Sequence, residues 1–355
     1  MRLIKRSRQL HGWLAPLMLA MLALAVAGCG NGKESTAADS PQHGDLTLVI
    51  GAYSVAKDAM GEILPLFAAE WKAKTGQTLT FQQSYEASGT QARAIVGGFE
   101  ADVTLLAMEG DVEKLVKAGL VEPGWKDRGV NGMVTRSVVA LGTREGNPKG
   151  IHDFADLAKP GVKVLYPNPK TSGGAQWDIN AIYGAGLKLS EEQEGVKDPA
   201  AAKAFLESIH ANVESLDKSG RASMAAFEYG VGDVIVTYEN ELLARIAKGV
   251  KYEVVIPKNT ILIENPAAVV DKYAKEHGTS EAADALVDYL ATPEAQEVFA
   301  KYGFRPVDKQ VYAENEIRYP VPAGLFDISY LGGWNEVRTT LYSKRGIWYQ
   351  VLAGI

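Results

Sequence analysis

Pro167-Asn168-Pro169-Lys170-Thr171-Ser172-Gly173-Gly174-Ala175 follows the apolar, β-like run Val162 to Tyr166 and leads into a segment of helical character from Ala175 onward. A strand, a Ser-Gly-Gly turn and a helix start gather unpaired backbone N–H groups and a hydroxyl around one point. The first turn of a helix lacks internal acceptors for its N–H groups and carries the positive end of the dipole, which makes such a turn a ready anion site. Its glycines let the backbone approach a ligand closely. The same residues equally make an ordinary N-capped turn that holds nothing.

Outward from that turn, strand-like and helix-like segments alternate, as in α/β domains. Leu46–Tyr53 and Leu79–Gln83 read as strands, Val55–Thr75 as a helix closed by Gly76, and Gly89–Gly97 as a helix capped by Ser88. Ala101–Ala107 reads as a third strand and Val112–Ala118 as a short helix. A second set begins with the strand Arg136–Thr143 and includes helices at Ala175–Tyr183 and Ala200–Ala211 and a strand at Gly232–Glu239. The last third is mostly helical, with Ala282–Leu290 and Pro293–Tyr302. The second set interrupts the first, which predicts two lobes joined by crossover strands: residues 46–135 plus 257–355 in one, 136–256 inserted as the other. Ligands of open α/β sheets bind beyond the carboxyl ends of the strands, here in the cleft between lobes. Three strand-to-helix turns carry a hydroxyl at the helix start, namely Ser54, Ser88 and Ser172. They could converge on a single anion.

The N-terminus assigns a compartment. Arg2, Lys5, Arg6 and Arg8 precede an apolar run from Trp13 to Ala27, then Val26-Ala27-Gly28-Cys29. Residues 1–28 read as a secretory signal peptide with a lipoprotein-type cleavage site. Cys29 is the only cysteine, so it has no disulfide partner and reads as the lipidation residue. The Gly-, Ser- and Thr-containing tract completing 29–45 reads as a flexible tether. The chain is thus expected in the periplasm or at the cell surface, held to a membrane by Cys29. Hydrophobic residues make up 46% of the 355 and charged ones 23%, enough for a large core. With a net charge of −6 and no basic stretch interleaved with aromatics beyond the signal, nucleic acid is excluded as a partner.

Catalysis finds little support. His11 falls in the signal and His43 in the tether; His152, His210 and His277 sit widely spaced in polar contexts and are expected to be exposed. None has metal-ligand spacing and no Gly-x-Ser-x-Gly elbow occurs, so neither a metal nor a cofactor is expected. Ser172 has no nameable base to make it a nucleophile. Glu239 and Glu241 read as the acidic start of a helix rather than as catalytic carboxylates.

Several short motifs, in order along the mature chain, resemble the periplasmic sulfate/thiosulfate-binding proteins of ABC importers. They are Ser88-Gly89-Thr90-Gln91-Ala92-Arg93, Glu100-Ala101-Asp102-Val103, Gly146-Asn147-Pro148-Lys149-Gly150, the Pro167–Ala175 stretch, Gly232-Asp233-Val234, Glu239-Asn240-Glu241, Phe304-Arg305-Pro306 and Gly332-Gly333-Trp334. The resemblance implies a two-lobed, type II-like periplasmic-binding-protein fold with hinge strands, acting as a monomer that delivers its anion to a membrane permease. It implies that the dianion is held without a countercharge by backbone N–H groups, a hydroxyl and an aromatic donor. By position, Ser54, Ser88, Gly173, Gly174 and Gly220 would give N–H groups and Ser172 its hydroxyl. Arg221 matches a neighbouring arginine. Three positions depart from the family: Ser54 stands for an aspartate, Tyr238 for the tryptophan that supplies an indole N–H, and Glu86 for a glycine. A carboxylate at Glu86 would repel sulfate yet accept a hydrogen bond from a protonated phosphate, so phosphate and molybdate stay open as ligands. A sensor that hands on no cargo would carry the same site, and a periplasmic hydrolase is a further alternative.

Overall fold

The computed structural model describes residues 44–355. The signal peptide, Cys29 and all but the last two residues of the tether lie outside that range.

Strand β1 (Leu46–Tyr53) is apolar and β-branched and buries Leu48, Ile50 and Ala52 completely. After a 3-10 turn at Ser54–Ala56, helix α1 (Lys57–Thr75) turns Met60, Ile63, Leu64, Phe67 and Trp71 toward the core at helical spacing. Gly76 ends it in the left-handed conformation, φ 78°. β2 (Leu79–Glu86) lies parallel to β1, and α2 (Ser88–Val96) carries the chain over to β3 (Val103–Leu105) on the other side of β1. α3 (Glu109–Lys117) follows. The twelve-residue strand β4 (Met133–Arg144) then leads away from this half.

The second half repeats the pattern. β5 (Val164–Pro167) is followed by α4 (Gly173–Glu194), α5 (Pro199–His210), β6 (Val213–Asp217), α6 (Gly220–Glu228), β7 (Val234–Tyr238), α7 (Glu239–Ile246) and β8 (Tyr252–Val255). β5 is parallel to both β6 and β7. The return strand β9 (Leu262–Val269) pairs with β3, and α8 (Asp271–His277), α9 (Ser280–Tyr289), α10 (Pro293–Lys301) and α11 (Lys309–Glu314) complete the first half. α12 (Gly333–Thr340) and α13 (Ile347–Ala353) come last.

The strand order is β2-β1-β3-β9-β4-β7-β5-β6, with β8 beside β4. β4 belongs to both halves: Met133–Val138 pairs with β9, and Val139–Thr143 with β7. In each half the strand leading into the first long helix (β1 or β5) is flanked by the two that follow it. This reversal of strand order opens a crevice at the carboxyl ends, and the two crevices face each other.

Three features differ from the sequence reading. α4 runs on to Glu194 instead of stopping near Tyr183. Gly184 and Gly186 do not break it because they are contact points: an added Cβ would meet the Phe326 ring at 2.3 Å and the Ala202 backbone at 2.8 Å. Strand β6 and helix α6 were not anticipated. The C-terminal segment, grouped by sequence with residues 257–355, packs on the second half. There Trp334 meets Trp177 edge-on, Trp348 meets Tyr166 and His210, and the Tyr342 hydroxyl bonds the Gln176 carbonyl and Asn180.

Candidate functional site

The residues that follow the strands of both halves wall one cavity. Ser54 follows β1, Ser88 follows β2, Ala107 follows β3, Ser219 and Gly220 follow β6, and Pro167 and Tyr238 end β5 and β7. Its free volume is about 20 Å³, which suits a water or a small inorganic ion rather than an organic metabolite. No lysine, arginine or histidine is among the residues lining it.

Four helix starts supply its positive potential: the turn at Ser54, α2, α4 and α6. First-turn N–H groups have no acceptor within their helix. Those of Ser88, Gly173, Gly174 and Gly220 donate to no other carbonyl among the described residues. Two of the helices are capped by side chains, Ser172 Oγ accepting from Ala175 N at 3.3 Å and Ser219 Oγ from Ala222 N at 3.1 Å. As acceptors, both hydroxyls keep their own proton to donate elsewhere.

The structure thus brings Ser54, Ser88, Ser172, Gly174, Gly220 and Tyr238 to the cavity wall. Gly173 stands just behind it at the seam, where its Cβ position is 2.9 Å from Ala107 Cβ and 3.2 Å from Ser88 Cβ. The cap expected of Ser88 is not formed. Ala87 is the N-cap of α2, and the Ser88 hydroxyl donates to Asp111 Oδ2 at 2.5 Å while accepting from Ala107 N. Ser88 therefore ties α2 to α3 and leaves only its N–H for a ligand. Ser54 likewise makes no side-chain cap.

Glu86 is exposed at the end of β2 and outside the wall. Arg221 is also outside. It reaches across the seam from α6, its Nη2 3.3 Å from the Ser54 carbonyl and its Nη1 3.4 Å from Asp58 Oδ2, which also receives Lys248 at 3.1 Å. Those two cations, with burial opposing them, hold the Asp58 carboxyl below its ordinary value. On the opposite flank Trp177 Nε1 donates to the Ala107 carbonyl at 2.7 Å, and Arg93 Nη1 approaches the Lys170 carbonyl at 3.4 Å. Contacts on both flanks shut the cleft. His210, expected to be exposed, is half-buried between Tyr166 and Trp348, and burial lowers its pKa.

Five polar wall residues were not placed in the site by the sequence reading: Tyr53, Asp178, Ser219, Thr237 and Glu241, the last read only as a helix start. The Tyr53 hydroxyl is spent on Asn265 Oδ1, which also accepts from Thr135. Tyr238, near the same Asn265, finds that acceptor filled and has no partner for its buried hydroxyl. Glu241 is buried but lies 3.0 Å from Arg245 Nη1 and 3.9 Å from Arg221 Nη2, so its charge is offset from outside the cavity. Ser219-Gly220 repeats the Ser-Gly pair of 172–173, a signal that was available in the sequence.

The family model described as bacterial extracellular solute-binding protein matches residues 48–305. The sulfate-binding protein of Synechococcus elongatus is 43% identical over 341 residues, 93% of this chain and 94% of that protein. The thiosulfate-binding protein of Escherichia coli is 34% identical over 313 residues, covering 86% and 91%. Among solved structures, the sulfate-binding protein SubI from Mycobacterium tuberculosis superposes with a TM-score of 0.77 at 35% identity, covering 84% of this chain and 100% of that one.

Proposed function

The chain belongs to the bacterial extracellular solute-binding proteins, among the sulfate- and thiosulfate-binding relatives, and from that premise we propose that it captures a tetrahedral oxyanion, sulfate or thiosulfate, and delivers it to an ABC importer. One observation carries the reading: helix starts from both halves of the sheet meet at an ion-sized cavity with no cationic side chain in its wall. Aimed N–H dipoles stabilise a dianion there without the strong desolvation cost of a buried lysine or arginine. In this reading Ser54, Ser88, Gly173, Gly174 and Gly220 donate backbone N–H groups, and Ser172 and Tyr238 donate hydroxyls. The unpartnered Tyr238 hydroxyl takes the place of an indole N–H. Glu86 is a surface residue with no part in ligand choice.

The two sheet halves act as lobes, and β4 with β9 forms the hinge. An anion that touches both lobes makes its full set of contacts only when they are shut, which shifts the population toward the closed form presented to the permease. Lipid on Cys29 keeps the protein at the membrane where the permease sits. No helix among the described residues is long and apolar enough to cross a membrane.

Calorimetric titration of the whole chain in detergent with sulfate, thiosulfate, molybdate and phosphate tests the assignment. Sulfate or thiosulfate binding tighter than phosphate supports it. Phosphate binding tightest would move the protein to another oxyanion.

A further inference from the structure

Asp178 stands one helical turn beyond Gly174 on α4, so both project on the same face, toward the cavity. It lines that cavity, is 1% exposed, and its Oδ1 has no hydrogen-bond partner. The buried hydroxyl of Tyr238 in the same wall is equally unpartnered. Glu241 Oε2, the third wall atom without a hydrogen bond, has Arg245 Nη1 at 3.0 Å. Buried polar atoms are nearly always satisfied, so the other two, with no cation beside them, mark the place where a ligand supplies the partner.

The groups around Asp178 explain its protonation state. β5 brings Tyr166, whose hydroxyl is bonded to His210 Nδ1 of α5. The C-terminal segment brings Tyr342, held by Gln176 and Asn180. β1 and β7 bring Tyr53 and Tyr238, α7 brings Glu241, and α3 brings Asp111, which is paired with Lys114 and Ser88. Lys114 is spent on Asp111, while Arg221 and Arg245 serve Glu241. With no cation of its own, the buried carboxyl is pushed well above the usual carboxylate range by burial, which favours its protonated form. A protonated carboxyl has an O–H to give, whereas an ionised one only accepts.

We propose that the Asp178 carboxyl donates a hydrogen bond to the captured oxyanion, making it a specificity-determining residue that couples anion capture to one proton. The inference rests on the oxyanion reading above. Sulfate and thiosulfate carry no proton near neutral pH, so the hydrogen of this contact must come from the protein. The O–H stays on Asp178 and no covalent bond changes. A bound dianion holds that proton more tightly still. Once the pH exceeds the carboxyl pKa of the free protein, each capture therefore takes up one proton, and affinity falls about tenfold per pH unit. Below that point affinity is flat.

The test is calorimetry of sulfate binding to the whole chain in detergent, from about pH 6 to about pH 9, in buffers of different ionisation enthalpy, which reports proton uptake directly. Wherever the pH exceeds the carboxyl pKa of the free protein, the wild type should take up close to one proton per sulfate. Asp178→Asn keeps the shape and a permanent donor, so it should bind with no uptake and no loss of affinity as the pH rises. Asp178→Ala has no donor at any pH and should bind sulfate roughly tenfold or more weakly. Wild-type binding without proton uptake together with unchanged affinity in Asp178→Ala overturns the Asp178 inference and leaves the oxyanion reading standing. Phosphate binding that strengthens with pH in the wild type but not in Asp178→Asn, beyond the rise from phosphate's own ionisation, overturns it too, since the residue would then be an acceptor. If neither protein binds sulfate or thiosulfate at any pH, the oxyanion reading itself falls.

Discussion

Replacing Gly173 by alanine separates closure of the cleft from the chemistry of its donors. Gly173 begins α4 with ordinary helical geometry, so its need for glycine comes from space, not from backbone conformation. An added Cβ would lie 2.9 Å from Ala107 Cβ, 3.2 Å from Ser88 Cβ and 3.4 Å from Asp111 Oδ2, all on the opposite half. Carbon atoms rest about 3.5–4.0 Å apart, so the halves must part by roughly 1 Å or strain their side chains. Overpacking of this kind costs about 1–3 kcal/mol. The cost falls on the closed form, because the open form carries no contact there. With about 1.4 kcal/mol per factor of ten, sulfate affinity should drop roughly 5- to 150-fold. The alanine keeps its backbone N–H, so no donor is lost. Alanine also favours the helix, and melting of the ligand-free protein should hold steady or rise slightly. Titration calorimetry and a thermal melt without ligand give both numbers. Unchanged affinity would refute the closure argument. So would an affinity loss matched by an equal loss of ligand-free stability, since the clash would then exist in both forms.

Ser172→Ala removes a helix cap and a ligand hydroxyl together; it should lower stability by about 1 kcal/mol and sulfate binding by about 1.5–3 kcal/mol, read by melting and by titration. Unchanged affinity with lowered stability would leave Ser172 as a cap only. Arg305→Ala strands the buried carboxyl of Glu239, which Arg305 holds through Nε at 2.7 Å and Nη2 at 3.0 Å, both residues being about 97% covered. That should cost about 3–5 kcal/mol in urea unfolding, and the double variant Arg305→Met with Glu239→Leu should recover most of it. His277 has its pKa raised by the hydrogen bond to buried Asp102, with burial opposing and Glu100 assisting. Its contribution is therefore complete below about pH 6.5 and lost as the pH climbs through the raised value. The melting temperature of His277→Gln should fall below the wild type in acid and converge with it in alkali; a gap independent of pH would contradict this.

Local pattern carried much of the fold. Leu46–Tyr53 and the Val138–Leu141 core of the strand read at Arg136–Thr143 are apolar runs buried in the sheet and visible without a structure, although β4 itself starts three residues earlier, at Met133. β6 was missed because Val-Glu-Ser-Leu-Asp lies at the sheet edge, half-covered, with no clean alternation. At the site, the Ser-Gly-Gly turn could be found because helix starts have a local signature. Distant partners could not. The Ser88 hydroxyl goes to Asp111, 23 residues away, and nothing near Ser88 announces it. Asp178 sat in plain view four residues past Gly174, but its chemistry comes from what surrounds it. A carboxylate in solvent and an acid in a dry wall share one letter of sequence.

The docking of α12 and α13 on the second half bears on how the protein comes into being. Tyr166 and His210 are covered by Trp348, and Trp177 by Trp334, so the core of that half is roofed by side chains more than a hundred residues later in the chain. A chain emerging N-terminus first must leave this apolar floor open until Trp334 and Trp348 arrive. Packing of that half is thereby incomplete until Trp348 has been made, and a chain that has not yet locked is one that can still be threaded through a narrow channel.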